Sequence, residues 1–151
     1  MGMKYAFNEF DKESMARARG SNLTISLKKS VEICKAIQGK KVGYVKKYLQ
    51  NVIDGKEVVP YTRYNQEMPH KKGKGIAAGG YPKNVAKEFL KLVSTAEKNA
   101  ENNEINGTLY VISASARQGT SRYKMGRFLG RQRKSTHAEV IVGVRKWLRK
   151  K

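Results

Sequence analysis

The stretch that decides the fold is "SRYKMGRFLGRQRKSTHAEVIV", Ser121 to Val142. Its first half carries Arg122, Lys124, Arg127, Arg131, Arg133 and Lys134 with no acidic residue. Tyr123, Met125, Phe128 and Leu129 are interleaved, and glycines stand at 126 and 130. Its end, with the residues that follow, reads "THAEVIVGV" (136–144), a strand pattern. The matching strand, "TLYVISASAR" (108–117), lies upstream across about 18 residues that carry no helical stripe. Both strands alternate apolar with small or polar residues, as strands buried on one face do. The spacing therefore predicts a hairpin over 109–142 with its tip at about 124–130. If pairing runs outward along both arms of about 17 residues, the hairpin reaches on the order of 55 Å at about 3.3 Å per residue. A two-stranded arm of that length is not stable alone in water. It needs a wall to lean on, and a polyanionic RNA would order it on contact.

Upstream, "MARARGSNLTI" (15–25) reads as a strand with an arginine-bearing face. Ser26 is placed to cap a helix over 27–38, where Leu27, Val31, Cys34 and Ile37 recur at helical spacing and Gly39 closes. A second helix over 42–53 has Val42, Val45, Leu49, Val52 and Ile53 on one side, and Gly55 ends it. Residues 56–82 break the pattern. They hold all three prolines and six glycines or alanines in a short basic cluster. Long loops of this kind are functional or disordered. Pro82 suits the start of a third helix over 83–101, with Val85, Phe89, Leu92, Val93, Ala96 and Ala100 as its stripe. The expected fold is α+β in a single domain: three helices packed on a small antiparallel sheet, with a long protruding β-hairpin.

The 151 residues carry a formal charge of +20, with a pI of about 10.2. A compact domain so charged repels itself and makes sense chiefly beside a polyanion. A membrane is the weakest candidate, because no window approaches the roughly 18 apolar residues of a spanning helix. The N-terminal stretch lacks a signal-peptide core, and Ala6 breaks the myristoylation pattern. The lone Cys34 allows no internal disulfide, fits a reducing cytoplasm, and is expected in the core.

Catalytic constellations are sparse. "GKGIAAGG" lacks the third glycine of a dinucleotide loop, and no Gly-Lys-Ser/Thr occurs. The histidines are His70 and His137. His137 and Glu139 share a strand face and could act as a catalytic pair. The plainer reading is a surface His beside a surface Glu, or a His stacking on a ribose or base. Twelve acids, none between Glu104 and Glu139, leave little for a two-metal nuclease. No cofactor, metal site or catalytic residue is expected. What stands out is that 68–87 and 105–138 contain no acid at all. Solvated faces normally mix signs, whereas single-sign runs with interleaved aromatics suit phosphate contact and base stacking. Candidate contacts are Arg117, Arg122, Tyr123, Lys124, Arg127, Arg131, Arg133 and Lys134, and in the loop Arg63, His70, Lys71, Lys72 and Lys74. A free nucleic-acid-binding regulator would need a hairpin that is ordered without RNA. An RNA-processing enzyme would need His137.

Over nearly its whole length the chain resembles the universal ribosomal protein family twenty-two of the large subunit, called seventeen in eukaryotes. The resemblance rests on "ISLKKSVEICKAIQGKKV" (25–42), "VAKEFLKLVSTAEKNAENN" (85–103), and "MGRFLGR" (125–131) followed by "THAEVIV" (136–142). The Pro- and Gly-rich segment looks like the archaeal and eukaryotic branch. The family usually has Pro-Arg-Ala where this chain has Gly126-Arg127-Phe128. The resemblance implies a non-catalytic constituent of the cytoplasmic ribosome, with a globular domain near the exit of the nascent-peptide tunnel and a hairpin lining the tunnel wall. It implies rRNA contact through Arg17, Arg19, Lys28, Lys29 and His137 as well as the residues above. It also implies a tunnel-lining tip of Met125, Gly126, Arg127, Phe128 and Leu129. Its implied partners are large-subunit rRNA, neighbouring large-subunit proteins and the nascent polypeptide, with no membrane insertion.

Overall fold

The computed structural model describes residues 7–73, 75–127 and 130–144. The expected contacts at Lys74, Phe128 and Leu129 lie outside the described residues. Strands β1 (Met15–Leu23), β4 (Leu109–Gln118) and β5 (Thr136–Val144) form one antiparallel sheet in the order β1-β5-β4. Helices α1 (Leu27–Ile37), α2 (Val42–Asp54) and α3 (Lys83–Asn102) lie between β1 and β4 in the chain. Helices α1 and α3 pack on the sheet, and α2 packs chiefly on α3. The α+β reading holds.

Pairing fixes which side chains meet the helices. Ala18, Val140 and Ala114 are cross-strand partners, and with Ala16, Ala138, Val142 and Val111 they form the helix-side face. Small residues there let α1 and α3 approach, and Ile33, Ile37, Phe89 and Val93 fill the space between. On the reverse face Met15, Ile112 and Ile141 form a second cluster covered by Phe7 and Phe10. Strand β5 is therefore buried on both faces, not one. Its central place in the sheet is the reason: the alternation of polar residues that reads as a solvent side faces Arg19 and the N-terminal segment.

Helix α2 buries Val42, Val45, Leu49 and Val52 as expected, with Tyr48 added and Ile53 half-buried, and ends at Gly55, whose φ of 80° is left-handed. Helix α3 buries Val85, Phe89, Val93, Ala96 and Ala100 as expected, with Ala86 added and Leu92 half-buried. Helix α1 differs. Its buried residues are Ser30, Glu32, Ile33, Cys34 and Ile37, while Leu27 and Val31 are only half-buried. Ser26 does stand at the N-cap, but its side chain makes no capping bond. The Cys34 thiol is in the core as expected, and burial pushes its pKa up to about 12.

The rotation of α1 has a cause in Glu32, which is 1% exposed. Its carboxylate accepts the backbone N–H groups of Thr62 (3.0 Å), Arg63 (2.9 Å) and Tyr64 (2.8 Å), and the Thr62 hydroxyl at 3.3 Å. Burial alone would raise the Glu32 pKa, but the Thr62, Tyr64 and Arg63 bonds outweigh it and hold the carboxyl below its ordinary value. One buried acid thus pins the start of the 56–82 segment to α1. That segment is folded rather than loose: β2 (Val59–Pro60) pairs with β3 (Gly79–Gly80), and Tyr61 N–H donates to Ala78 O at 2.9 Å and Lys71 N–H to Ala77 O at 3.0 Å. Gly79 is required by close approach, since a Cβ there would meet Val58 Cγ1 at 2.5 Å.

The β4–β5 ladder shifts register between Val111 and Ser113, and from Ser113↔Ile141 it runs regularly to Gln118↔Thr136. Beyond it Gly119 N–H donates to Ser135 O at 3.0 Å, and then pairing thins to one bridge, Tyr123↔Gln132. The two arms are not continuous strands. At the root a single residue of β1 holds both of them. Asn22, at φ 53°, accepts the Thr120 N–H at 3.2 Å and the Ser135 hydroxyl at 3.1 Å on its Oδ1. Its own N–H donates to His137 Nδ1 at 3.1 Å. Gly119 admits this contact, because a Cβ there would lie 2.4 Å from Ser135 Oγ and 2.8 Å from Asn22 Oδ1.

Two outcomes follow from these anchors. Glu32→Gln, which puts an amide among donors, should destabilise the fold by about 2 kcal/mol in denaturant unfolding. Because the folded-state pKa is depressed, this contribution is complete above the ordinary value of 4.5 and is lost as pH falls through the lower folded value. The variant's acid unfolding should lack that component. Asn22→Gly keeps the left-handed backbone and removes the side-chain grip. It should speed amide exchange at Thr120 about fivefold and leave the 113–117 amides unchanged, as read by NMR exchange.

Candidate nucleic-acid interface

The arms and tip are built from what the ladder leaves over. Arg133 N–H donates to Arg122 O at 2.7 Å, and Lys124 N–H donates to Arg131 O at 2.8 Å. These bonds set Arg122, Lys124, Arg131 and Arg133 on a narrow two-stranded arm, and every described residue from 120 to 134 is exposed. Tyr123 is 66% exposed and Met125 98%, in a chain whose other large apolar side chains are mostly buried. An apolar ring and a thioether held in water between cations suit stacking on, or lying against, an external partner. Gly126 (φ 139°) and Gly130 (φ 92°) flank the end of the arm. Both have open space around them, so backbone conformation rather than crowding calls for glycine there.

On the globular part the structure gathers some expected residues and separates others. Lys28 from α1 and Arg63 from the 56–82 segment both lie against the ring of Tyr64, at 5.8 Å and 5.4 Å. The Glu32 anchor therefore brings two candidate contacts to one spot. Lys71 lies 5.7 Å over the Tyr81 ring, while His70 and Lys72 are exposed nearby in the chain. Lys29, Arg117 and Lys134 are exposed. Arg17 is exposed and stacks on Phe10 at 4.6 Å.

Arg19, Glu139 and His137 sit otherwise than expected. His137 is 8% exposed and Glu139 4%, so neither is a surface residue. Arg19 pairs with Glu139 at 3.6 Å, with side chains 13% and 5% exposed, and the Ser115 hydroxyl lies 3.4 Å from the same carboxylate. This is a cross-sheet row, Arg19–Glu139–Ser115, set by register. His137 accepts the Asn22 N–H on Nδ1, which in the neutral ring places its proton on Nε2. His137 and Glu139 do share a face, but both are engaged in holding the sheet and the root. Among the described residues no cluster of His, Cys, Asp or Glu could hold a metal ion. Among them, too, no helix is long and apolar enough to cross a membrane.

The residues that sequence reasoning missed are Asn22, Gly119, Ser135, Glu32 and Tyr64. Only Asn22 carried a usable signal, as a residue type that tolerates left-handed backbone at a strand end.

Comparison with known proteins matches residues 18–143 to the family described as ribosomal protein L22p/L17e. The large ribosomal subunit protein uL22 of Methanococcoides burtonii is 47% identical over 114 residues, covering 76% of this chain and 74% of the relative. That of Methanococcus aeolicus is 38% identical over 141 residues, covering 89% and 92%. The Archaeoglobus fulgidus protein is 34% identical over 150 residues, covering 95% and 97%. A match across both long strands, the helices between them and the basic arm leaves one assignment: the chain belongs to the ribosomal protein L22p/L17e family.

Proposed function

We propose that this chain binds large-subunit rRNA along both hairpin arms and presents the 125–129 tip to the nascent polypeptide in the exit tunnel, with its globular domain near the tunnel exit. Family membership makes it a structural constituent of the large ribosomal subunit, not an enzyme, at work in the cytoplasm within the ribosome. The observation that supports the finer reading is the outer part of the hairpin, which is firmly rooted, basic and exposed at every described residue from 120 to 134. Such an arm cannot bury itself and gains stability only against a polyanion. On this reading Arg122, Lys124, Arg131, Arg133 and Lys134 contact phosphates, Tyr123 stacks, and Arg17, Lys28, Lys29, Arg63, His70, Lys71 and Lys72 extend the contact over the globular domain. Arg19 and His137 act indirectly, by holding the sheet and the root beneath that surface. Neighbouring large-subunit proteins complete its surroundings.

Binding of the full chain to a large-subunit rRNA transcript should weaken linearly with log salt, at about 0.7–0.9 per phosphate contacted. Replacing Arg122, Lys124, Arg131 and Arg133 together by Gln should lower that slope by about 3 without changing the melting temperature by more than a few degrees. A salt-independent affinity would sink the reading, as would crosslinks from 119–135 in purified ribosomes that fall outside large-subunit rRNA.

A further inference from the structure

We propose that the surface around Lys134 is a two-phosphate site, which seats one RNA strand at the hairpin root and extends the rRNA contact onto the start of α3. The inference rests on the rRNA-binding reading above. Two grooves meet at Lys134. One, of about 440 Å³, runs between the start of α1 and the return arm, and its charged residues are Lys28, Arg133 and Lys134. The other, of about 320 Å³, runs between the starts of α1 and α3, and its charged residues are Lys29, Lys83 and Lys134. Every charged side chain lining either groove is basic, and all five are exposed.

The neutral lining is also matched to a polyanion. Ser26 and Gln132 supply donors to the first groove and Asn84 to the second. Tyr81, 38% exposed, offers a ring in the second groove for a ribose or base. The first turns of α1 and α3 carry no acid and no side-chain cap, so the backbone there adds to the field rather than opposing it. A third groove, of about 720 Å³ between α2 and α3, shows the contrast. It contains Glu88, paired with Lys91 at 3.0 Å, and mixed sign gives it no preference for a phosphate. The occupant of the basic pair is RNA rather than an acidic protein because the first groove is continuous with the hairpin arm through Arg133 and Gln132. A strand that follows the arm down to its root enters the groove directly, and Lys134, common to both grooves, passes it on to Lys83.

Lys83 is the diagnostic residue, since it lies on α3 and outside the basic arm. With the full chain and a large-subunit rRNA transcript, Lys83→Gln should weaken binding about 3- to 10-fold at low salt and lower the salt slope by about 1. Lys83→Gln and Lys134→Gln should be non-additive, because they serve adjacent phosphates of one strand. Phosphate-ethylation interference should show positions that block the wild type and no longer matter to Lys83→Gln. Arg122→Gln/Arg131→Gln is the control for the underlying reading. If it weakens binding while Lys83→Gln and Lys29→Gln leave affinity and slope unchanged, the two-phosphate site is wrong and the hairpin reading stands. If neither set has an effect, both fall. Wild-type RNA affinity of Lys83→Gln combined with its loss from assembled subunits would assign the groove to a protein neighbour and overturn the proposal.

Discussion

Strand β5 is hydrogen-bonded on both edges and covered on both faces, and the protruding arm depends on it. Ala138, Val140 and Val142 face the helices, while His137, Glu139 and Ile141 face the reverse side. A slip of one residue would exchange the two sets and drive His137 and Glu139 into the apolar layer against α1 and α3, which is why the register is fixed. The return arm enters this strand with no intervening linker: Ser135 is still paired to Gly119, and Thr136 is buried with its hydroxyl on Ile25 O at 2.9 Å. Force or contact applied to the arm is therefore borne by the most constrained element of the fold. The first pairs above the ladder are gripped from the side by Asn22, so the direction in which the arm leaves the sheet is set by the core.

The placement of the acids explains how a chain of +20 can fold and still offer a single-signed surface. The two most buried carboxylates, Glu32 and Glu139, each fasten a segment that carries candidate RNA contacts. Glu32 holds the Thr62–Tyr64 backbone beside Arg63, and Glu139 ties Arg19 across the sheet. Glu97 pairs with Lys46, linking α3 to α2. Acids used in this way neutralise charge inside the domain, where repulsion would oppose packing, and none stands in the arm itself. The single-signed charge of the arm then lies where an external polyanion can reach it.

The helices were legible because their apolar stripes are local and periodic, and only α1 misled. Glu32 lies off the stripe expected there, and nothing nearby in the chain reveals that three backbone N–H groups from thirty residues away converge on it. The same limit hid the centrality of β5: Thr-His-Ala-Glu-Val alternates as a half-exposed strand would, and the partner that covers Glu139 comes from β1, more than a hundred residues earlier. The basic arm was legible from composition alone, because a run of one charge sign is a property of neighbours in sequence. Its anchoring was not, since Asn22 reaches Thr120 and Ser135 across 98 and 113 positions.

Gln118↔Thr136 and the Gly119–Ser135 bond share a register, but the next bridge, Tyr123↔Gln132, takes four steps on the outgoing arm for three on the return. One extra residue therefore lies between Gly119 and Arg122, and a bulge of this kind bends the strand and increases its twist. It sits directly above the Asn22 grip, where the arm is still held, so the direction of the arm is set from its root. Above the bend the Arg122–Arg133 and Lys124–Arg131 bonds close the arm around that bridge, and glycines at 126 and 130 follow. Backbone pairing thus thins along the described arm, from the continuous ladder through the root to the Tyr123↔Gln132 bridge. An arm rooted in this way is aimed by its base, in the direction that β5 and Asn22 set.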